Sequence, residues 1–482
     1  MKRSRIFIFF LLIIVVSTFM HFKQFPKELI SFHSWRQTYT QSTIQNFYEE
    51  DMNILNPRIN DRGNGDGIFR MEFPLMQWLI ACLYKVFGPH LILSRIFVFI
   101  IGLFSLFGIF RLMKTLFKNE IIGMIAAWAL CFSPSFFYYT VNPMPDNLAL
   151  CFSIWAVLLF FQWHQSKKTK LLIAAGILFS LTALCKLPFI LYYSIPAAYL
   201  IILLIRKKNV KKLLIPFLFF FSFIIFPAIW YINAIPHWHG NGITAGMADN
   251  TLPFSTLLDF WRHTLISTLP ELLLNYGSVI FFIAGIIYIF RNKKQNNQLF
   301  PVFLIWGISA LAYYFFEANM IARVHDYYLF PFLPILFIIV SFGAYQMYSS
   351  GKKGLKYLTL FLLLILPLFT YLRMIDRWKP DSPGFNKDLL IYKEELRNAV
   401  PDNALCIVGN DVSHSIFFYY IHKKGWVFYD NWIIGSEIKD MVTKGAKYLY
   451  SDSRSIENCL NNMAMLDSMI IEKGSIRVFR LK

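Results

Sequence analysis

Long apolar runs recur along most of the chain, and they constrain its fold more than any other feature. The first run follows a basic flank in "MKRSRIFIFFLLIIVVSTFMHF" and has no small-residue cleavage site, so we interpret it as a retained signal anchor. Further runs lie near 91–113, 121–140, 147–163, 171–185, 187–205, 213–231, 274–290, 299–316, 327–349 and 357–373. Because a helix needs about 20 apolar residues to cross a bilayer, the pattern predicts an α-helical multi-span membrane protein with about 11 transmembrane helices.

The composition agrees with this interpretation. Of the 482 residues, 56% are hydrophobic, 18% are aromatic and only 16% are charged, whereas about a quarter of the residues in a soluble protein are charged. The net charge of +19 would suit a nucleic-acid partner, but the basic residues come in short clusters between the apolar runs. Such clusters orient a membrane protein, so we expect membrane lipid and no nucleic acid as a partner.

The positions of the basic clusters predict the topology. They occur at 2–5, 111–118, 167–170, 206–212, 291–294 and 352–356. If the amino terminus lies inside, every cluster falls on the cytoplasmic side, as the positive-inside rule requires. An odd number of spans then places the carboxyl terminus outside. We therefore predict a protein of the bacterial cytoplasmic (inner) membrane with its amino terminus inside and its C-terminal domain outside.

The same reasoning divides the chain into two domains. Residues 1–375 form the predicted membrane domain, with external loops at 23–90 and 232–273. Within the first loop, "EFPLMQWLIACLYKVFG" is short for a span and is expected to lie in the membrane interface. Residues 376–482 alternate β-rich runs ("ALCIVGN", "GWVFYD", "AKYLYSD", "SIRVFRLK") with helix-like stretches near 386–398, 413–422 and 436–443. This alternation predicts a small extracytoplasmic α/β domain.

Unusual polar residues collect near the predicted external ends of the apolar runs. Ionisable groups at membrane depth are costly and usually mark a functional site. We expect eight of them to converge on one external cavity at membrane level: His33, Arg36, Glu72, Asp146, Lys186, Arg323, His325 and Asp326. The last three belong to "EANMIARVHDYYLFPFLP", which also brings Glu317 to this region.

The residue types indicate the chemistry of this predicted cavity. Arginine and lysine suit a phosphate group, and the predicted donor-phosphate ligands are Arg36, Lys186, Arg323 and His325. A carboxylate or an imidazole suits a general base, and the catalytic candidates are Glu72, His33 and Asp146. Four further residues are predicted to belong to the site through stacking or hydrogen bonds: Trp35, Gln37, Asp326 and Tyr327.

The sequence also leaves structural interpretations open. Arg36 beside Trp35 suits an interfacial anchor, and Lys186 suits a side chain that extends to the interface. Glu72 and Asp146 suit helix amino termini, where acidic residues are favoured. A carboxylate can also hold a metal ion, so a divalent cation is left open as a cofactor and no metal ligand is assigned.

Several segments resemble a known family when they are taken in order. They read "HSWRQT", "NFYEEDMNILNPRI", "GNGDGIFRMEFPLMQWLIACLYKVFG", "PMPDNLAL", "LTALCKLPF" and "HDYYLFPFLP". In this order the chain, over about residues 1–375, resembles a GT-C-type glycosyltransferase of the protein-O-mannosyltransferase-like group, which includes the enzymes that add aminoarabinose to lipid A. The resemblance implies a polyprenyl-phosphate sugar donor, a lipid, glycan or protein acceptor, and hexosyl or pentosyl transfer of the inverting type.

The resemblance also suggests roles for individual residues. Glu72 with Pro74 resembles the acid-then-proline element that ends the first loop, and Lys186 resembles the lysine of the short paired spans. Asp146 resembles the acid that opens a middle span. One feature departs from the family pattern, because no acidic residue lies between His33 and Tyr48, where many relatives carry one. The base is therefore expected to be Glu72, with Glu49, Glu50, Asp51 or His33 as alternatives.

Two other functions are compatible with a multi-span protein. A transporter or flippase of lipid-linked glycans would place ionisable residues at mid-span and show two related halves, and neither feature is visible here. A membrane scaffold that presents the C-terminal domain would leave the external polar residues unexplained. The glycosyltransferase hypothesis accounts for the most residues.

Overall fold

The structure is a computed structural model that describes residues 3–63, 65–206, 210–238, 253–292, 299–323, 325–429, 435–454, 456 and 460–482. The helices up to residue 374 are α1 (Arg3–His21), α2 (Ser34–Glu49), α3 (Leu75–Phe87), α4 (Leu91–Phe117), α5 (Glu120–Cys131), α6 (Pro134–Tyr139), α7 (Asp146–Ser166), α8 (Thr169–Cys185), α9 (Ser194–Ile205), α10 (Val210–Ser222), α11 (Ile225–Ala234), α12 (Phe254–His263), α13 (Tyr276–Arg291), α14 (Leu299–Phe316), α15 (Ala318–Arg323), α16 (Leu333–Tyr348) and α17 (Lys353–Met374). Short 3₁₀ helices cover Leu187–Tyr193, Ile235–His237, Asp326–Phe332 and Ile375–Trp378, and a π-helical segment covers Thr264–Leu273.

The remaining elements are short helices and five strands. These helices are α18 (Asp388–Ile391), α19 (Lys393–Asn398), α20 (Ile416–Ile421), α21 (Gly435–Thr443) and α22 (Leu460–Met463). The strands are β1 (Leu405–Gly409), β2 (Lys424–Val427), β3 (Tyr448–Ser451), β4 (Leu466–Lys473) and β5 (Ile476–Leu481). The chain forms two compact units: the first is Met1–Phe25, Met71–Phe73 and Arg95–Ile375, and the second is Pro26–Arg70, Pro74–Ser94 and Asp376–Lys482.

The first unit contains the membrane helices. Among the described residues, eight helical segments are long and apolar enough to cross a bilayer, and the bent pair Phe254–Leu273 and Tyr276–Arg291 would make a ninth. The predicted fold class, a multi-span helical membrane protein with a small α/β C-terminal domain, is confirmed. Eleven spans were expected. Two of the predicted runs form helices too short to count as spans, Glu120–Cys131 and Thr169–Cys185.

Proline and lysine explain why those two runs are shorter than expected. The run near 121–140 breaks after α5, because Pro134 begins the separate helix α6 and cannot donate a main-chain hydrogen bond to a continuing helix. Likewise, α8 ends at Cys185, and the extended Lys186 leads into a 3₁₀ helix that has proline at its start. Both breaks carry polar residues, and one of them helps to form the candidate site.

Two glycines allow the membrane helices α13 and α16 to pack very closely. A Cβ atom added to Gly343 would lie 1.8 Å from the Phe281 carbonyl oxygen, and one added to Gly285 would lie 2.0 Å from the Ile339 carbonyl oxygen. Small residues permit such contacts between transmembrane helices, where dispersion and hydrogen bonding rather than the hydrophobic effect drive association.

The second unit contains a five-stranded mixed sheet with the order β2-β1-β3-β5-β4. Strand β1 pairs in parallel with β2 and β3, whereas β5 pairs antiparallel with β3 and β4. Side chains alternate between the two faces of a strand, so Cys406 and Val408 enter one hydrophobic core and Ile407 enters the other. Strand β4 was not predicted from the sequence.

Residues of the first predicted loop extend this sheet within the second unit. The Gly425 amide donates to the Asn60 carbonyl oxygen at 3.0 Å, and the Arg62 amide donates to the Gly425 carbonyl oxygen at 2.7 Å. Nearby, His414 Nδ1 lies 2.7 Å from Asp61 Oδ2. The loop thus covers part of the edge strand β2, which would otherwise present unpaired main-chain groups.

We predict that replacing Gly343 with Val destabilises the protein by about 1–3 kcal/mol or more, because the added side chain has no space beside α13. Thermal unfolding in detergent, followed by circular dichroism, measures the change. Gly307→Ala is the matched control, since its Cβ would lie 3.6 Å from Ile335 Cδ1, an ordinary contact distance. Equal melting temperatures for the two variants would contradict the packing described for α13 and α16.

We also predict a pH dependence at the contact between Asp61 and His414. The hydrogen bond to Asp61 raises the pKa of His414 above its ordinary value, burial opposes this, and the charges of Asp61 and Asp411 add to it. The protonated imidazole is therefore favoured in the folded protein. Its contribution to stability is complete below the pKa of the unfolded chain, about 6.5, and is lost as the pH rises through the higher folded pKa.

An NMR titration of the His414 ring tests this sign. We expect Asp61→Asn to lower the pKa of His414. An unchanged pKa for His414 in Asp61→Asn would show that the contact does not form.

Candidate functional site

A cavity of about 380 Å³ lies within the first unit, and it contains three of the chain's buried ionisable side chains. These are Glu72, Lys186 and Glu317, whose exposed fractions are 6%, 7% and 7%. The rest of the lining is apolar or aromatic: Met71, Leu187, Pro188, Ile190, Leu191, Tyr231, Trp238, Ala312, Tyr313, Phe316 and Tyr328. In such surroundings an electrostatic interaction is stronger than in water, so these three residues dominate what the cavity can bind.

Hydrogen bonds to the main chain of its two neighbours hold Glu72 at the cavity. The Phe73 amide donates to the Leu184 carbonyl oxygen at 2.9 Å, next to the end of α8. The Trp230 indole donates to the Met71 carbonyl oxygen at 3.1 Å. Both neighbours of Glu72 are fixed in this way, and Glu72 itself lines the cavity. Helix α3 begins at Leu75 and has no acid in its first turn, which does not favour a capping role for Glu72.

Lys186 occupies the break between α8 and the 3₁₀ helix Leu187–Tyr193. Its ammonium lies 3.6 Å from Asp146 Oδ2, and the two side chains are only 9% and 2% exposed. The same ammonium lies 5.1 Å from the ring centroid of Tyr327 and 4.9 Å from that of Tyr328. Opposite charge and two aromatic faces thus surround the cation. The buried ammonium does not extend to the interface, as a merely structural lysine would.

Asp146 opens α7 and is held by the polypeptide segment that precedes it. The fully buried guanidinium of Arg95 donates from Nη1 to the Val141 carbonyl oxygen and to Asn142 Oδ1, both at 2.7 Å. The side-chain amide of Asn147 donates from Nδ2 to the Tyr139 carbonyl oxygen at 2.8 Å. These contacts fix the segment between α6 and α7 and therefore the position of Asp146. Asp146 itself does not line the cavity; it lies behind Lys186.

The segment after α15 contributes aromatic residues to this region. Tyr139 donates a short hydrogen bond from its hydroxyl to Asp326 Oδ1. His325 is buried, with its ring centroid 5.2 Å from that of Tyr327 and 4.9 Å from that of Tyr328. The structure therefore brings Asp326, His325 and Tyr327 near Lys186. The side chain of Arg323, a predicted phosphate ligand, lies outside the described residues.

Glu317 lines the cavity; the sequence placed it near the predicted site but gave it no role there. It follows the apolar helix α14 directly, and an ionisable residue at the end of an 18-residue apolar helix is a recognisable signal. Burial raises the pKa of Glu317 above its ordinary value, and the charge of Lys186 opposes this increase. The aromatic lining residues Tyr231, Trp238 and Tyr313 were also missed, because aromatic residues are frequent throughout this chain.

The other predicted site residues belong to the second unit. His33 has a left-handed backbone conformation (φ 57°) and precedes α2. The Arg36 side chain is 1% exposed, and its guanidinium lies 5.1 Å from the ring centroid of Tyr39. Gln37 donates from Nε2 to the Phe32 carbonyl oxygen at 3.0 Å. A side chain as buried as that of Arg36 is not a surface anchor, and its predicted contact with a phosphate remains a prediction.

Trp35 has a structural role within the same unit. Its carbonyl oxygen accepts hydrogen bonds from the hydroxyls of Thr38 and Ser415, each at 3.0 Å. Its side chain packs against the hydrophobic core that contains Leu29 and Phe417. The side-chain contact gives Trp35 a packing role, and its predicted stacking in the site remains a prediction.

The alternative carboxylates of the first loop lie in ion pairs. Glu49 lies 3.3 Å from His422 Nε2, and Asp51 lies 3.2 Å from Arg58 Nη1. Glu50 forms ion pairs with Arg62 and with Lys424. Burial acts to raise the pKa of Glu49, but the hydrogen bonds and charges of His422 and Lys424 outweigh it, so the pKa lies below its ordinary value. A carboxylate stabilised as an anion is a weaker base, so these contacts favour Glu72.

The sequence left open whether a divalent cation binds, and the described residues show no group of side chains suited to bind one. In the part of the chain that the structure describes, no group of three or more His, Cys, Asp or Glu residues could hold a metal ion. The cavity itself offers two carboxylates, Glu72 and Glu317, beside a lysine.

We predict that Asp146 and Lys186 stabilise the protein as a pair. Removing one partner of a buried ion pair leaves an uncompensated charge and costs about 3–5 kcal/mol. Asp146→Asn and Lys186→Met should each lower the melting temperature strongly. The double variant should melt no lower than the more damaged of the two single variants, because it contains no unpaired charge. Asp376→Asn removes half of an exposed pair, with side chains 67% and 60% exposed, and serves as the control. Strictly additive losses in the double variant would mean that the two side chains do not interact.

Comparison with known proteins agrees with this architecture. The dolichyl-phosphate-mannose-protein mannosyltransferase family matches residues 72–231, a segment that includes Glu72, Asp146 and Lys186. No curated protein sequence matches the chain. Among solved structures, ArnT from Cupriavidus metallidurans bound to undecaprenyl phosphate has a TM-score of 0.66 at 12% identity, covering 100% of this chain and 98% of that one.

Two further structures share the fold. The Archaeoglobus fulgidus oligosaccharyltransferase in its apo form has a TM-score of 0.61 at 14% identity and covers 95% of this chain and 70% of that one. The mycobacterial arabinofuranosyltransferase AftD has a TM-score of 0.50 at 9% identity and covers 100% of this chain and 40% of that one. The resemblance predicted from the sequence is confirmed: residues 72–231 match the dolichyl-phosphate-mannose-protein mannosyltransferase family, and the chain shares the fold of ArnT over its whole length.

Proposed function

We propose that the protein transfers a sugar from a polyprenyl-phosphate-linked donor to a lipid, glycan or protein acceptor on the outer face of the cytoplasmic membrane. The observation that carries this proposal is the cavity in which Glu72 and Lys186 lie together among apolar and aromatic side chains. A lipid-linked sugar phosphate needs such a combination: apolar walls for the isoprenoid, a cation for the phosphate and a carboxylate for the acceptor. The fold shared with ArnT, whose structure contains undecaprenyl phosphate, supports the choice of donor.

In the proposed reaction, Glu72 is the general base. Its carboxylate takes the proton of the acceptor hydroxyl while the acceptor oxygen attacks the anomeric carbon of the donor sugar. The bond between that carbon and the phosphate oxygen breaks with inversion, and its electron pair stays on the polyprenyl phosphate. The ammonium of Lys186 stabilises the charge that develops on this leaving group.

In this proposal Asp146 is not the general base, although the sequence made it a catalytic candidate. Because it contacts Lys186 at 3.6 Å and does not line the cavity, it is a positioning residue that orients the ammonium. Arg36, Arg323 and His325 remain proposed ligands of the donor phosphate, with Gln37, Asp326 and Tyr327 as proposed further contacts. His33 remains the alternative to Glu72 as the base.

The positions of the basic clusters support the proposed orientation. They lie at one set of helix ends if the amino terminus is inside, and the positive-inside rule then assigns that side to the cytoplasm. The opposite ends carry Glu72, Asp146 and Lys186. A donor in the outer leaflet would reach the cavity from the bilayer.

We predict that Glu72→Gln lowers the rate of transfer by about 10²–10⁴-fold, the usual contribution of a general base, and leaves donor binding unchanged. The assay uses protein in nanodiscs with radiolabelled undecaprenyl-phosphate sugars and an extract of envelope lipids, and it follows label in a new acceptor. Asp467→Asn, the same chemical change at an exposed carboxylate, is the control.

The outcomes of this assay separate the competing functions. Transfer by the native protein and by Asp467→Asn, but not by Glu72→Gln, supports both the reaction and the base. Transfer at the normal rate by Glu72→Gln would exclude this base. If the native protein binds the donor and moves it between leaflets without transfer, it is a flippase and the proposal is wrong.

A further inference from the structure

A second cavity lies at the opposite end of the first unit, and the proposed reaction does not use it. Its volume is about 1020 Å³, and it is formed by the start of α1, the end of α4 and the start of α5. Four basic side chains line it, together with one carboxylate: Arg5, Arg111, Lys114, Lys118 and Glu120. The apolar lining residues are Ile6, Phe107, Phe110 and Ile121.

The basic residues are not balanced by acidic ones. The single carboxylate, Glu120, accepts a hydrogen bond from Lys114 at 2.6 Å, and Lys118 Nζ lies 3.4 Å from the uncharged Gln165 Oε1. Arg111 contacts an aromatic face, with its guanidinium 5.8 Å from the ring centroid of Phe107. An excess of positive charge therefore remains at this cavity. A bound anion would reduce the repulsion between the basic side chains.

The cavity spans two depths of a bilayer. Residues 96–110 of α4 carry no charge, and the basic residues begin at Arg111. At 1.5 Å per residue, Phe107 lies about 6 Å from Arg111 along α4, on the side of the uncharged residues, where a helix that crosses a bilayer meets acyl chains. The cavity thus combines a basic rim at headgroup level with an apolar floor at acyl level. Inorganic phosphate or a soluble acidic ligand would use only the rim.

The floor of the cavity is firmly built. The ring centroid of Phe10 on α1 lies 5.3 Å from those of both Phe107 and Phe110 on α4, in edge-to-face arrangements. On the other side, Gly123 of α5 lies so close that an added Cβ would be 2.8 Å from the Phe110 carbonyl oxygen. The turn between α4 and α5 is closed by Asn119, whose side chain accepts from the amides of Ile121 and Ile122. The helix amino terminus is therefore already capped, and the basic side chains remain as the anion ligands.

From these observations we infer that this cavity binds one anionic phospholipid, with its phosphate headgroup at Arg5, Arg111 and Lys118 and its acyl chains along Ile6 and Phe107. Basic cavities between membrane helices are known sites of anionic headgroups. The positive-inside rule explains basic residues in this loop, but it does not require that they line a cavity with an apolar floor. The inference does not depend on the proposed sugar transfer.

Native mass spectrometry of the full-length protein in detergent tests the inference. Phosphatidylglycerol and phosphatidylcholine with identical acyl chains are titrated in parallel, and we expect phosphatidylglycerol to remain bound preferentially. The double variant Arg5→Gln/Arg111→Gln should lose this binding roughly 10- to 30-fold, since a basic residue near the membrane surface contributes about 1 kcal/mol. Both residues are exposed, so their replacement should not unfold the protein, and the melting temperature without lipid checks this.

The matched control is Lys352→Gln/Lys353→Gln, which removes two exposed charges from another basic cluster on the same predicted side. It should bind phosphatidylglycerol within about twofold of the native protein. Equal losses in both double variants, or equal binding of the two lipids by the native protein, would overturn the inference. Complete displacement of phosphatidylglycerol by millimolar inorganic phosphate or by an acidic peptide would also overturn it, because the site would then recognise charge alone.

Discussion

A buried ion pair between Lys186 and Asp146 is the interaction around which the candidate site is built. Two charges that are 9% and 2% exposed have lost most of their hydration, and they are tolerated only when their geometry is fixed. The structure fixes both sides of the pair. Arg95 and Asn147 hold the segment that leads to Asp146, while the end of α8 holds Lys186. The cavity with Glu72 and Glu317 opens beside this pair.

The helix breaks that create the site need substitutes for the main-chain hydrogen bonds that they interrupt. In a membrane every backbone polar group must find a partner within the protein. Aromatic side chains provide these partners here: Tyr192 donates to the Pro331 carbonyl oxygen at 3.0 Å, and Tyr313 donates to that of Tyr328 at 3.1 Å. The abundance of tyrosine and tryptophan near the site therefore has a structural reason, besides any role in binding a sugar.

The second unit meets a different constraint, because its central helix is polar. Helix α2 buries eleven of its sixteen residues, most of which carry amide, hydroxyl or guanidinium groups. Each buried polar group needs a partner, and neighbouring segments supply several: Gln41 donates to the Tyr84 hydroxyl at 2.7 Å, and Asn46 donates to Asn60 Oδ1 at 2.8 Å. The sequence of this helix has no amphipathic pattern, which explains why only a loop with polar residues was predicted there.

The sequence by itself determined the membrane class, the positions of the apolar helices and most strands of the C-terminal sheet, because apolar length and alternation are local properties. It also identified Glu72, Asp146 and Lys186 as unusual, since charge beside an apolar run is costly wherever the chain folds. Only the tertiary structure decided that Asp146 contacts Lys186, that Glu317 joins Glu72 in one cavity, and that Trp35 packs against a core. Strand β4 was likewise visible only in the tertiary structure, because its sequence shows no clear alternation of apolar and polar residues. These features depend on contacts between residues far apart in the chain, and a local pattern contains no information about them.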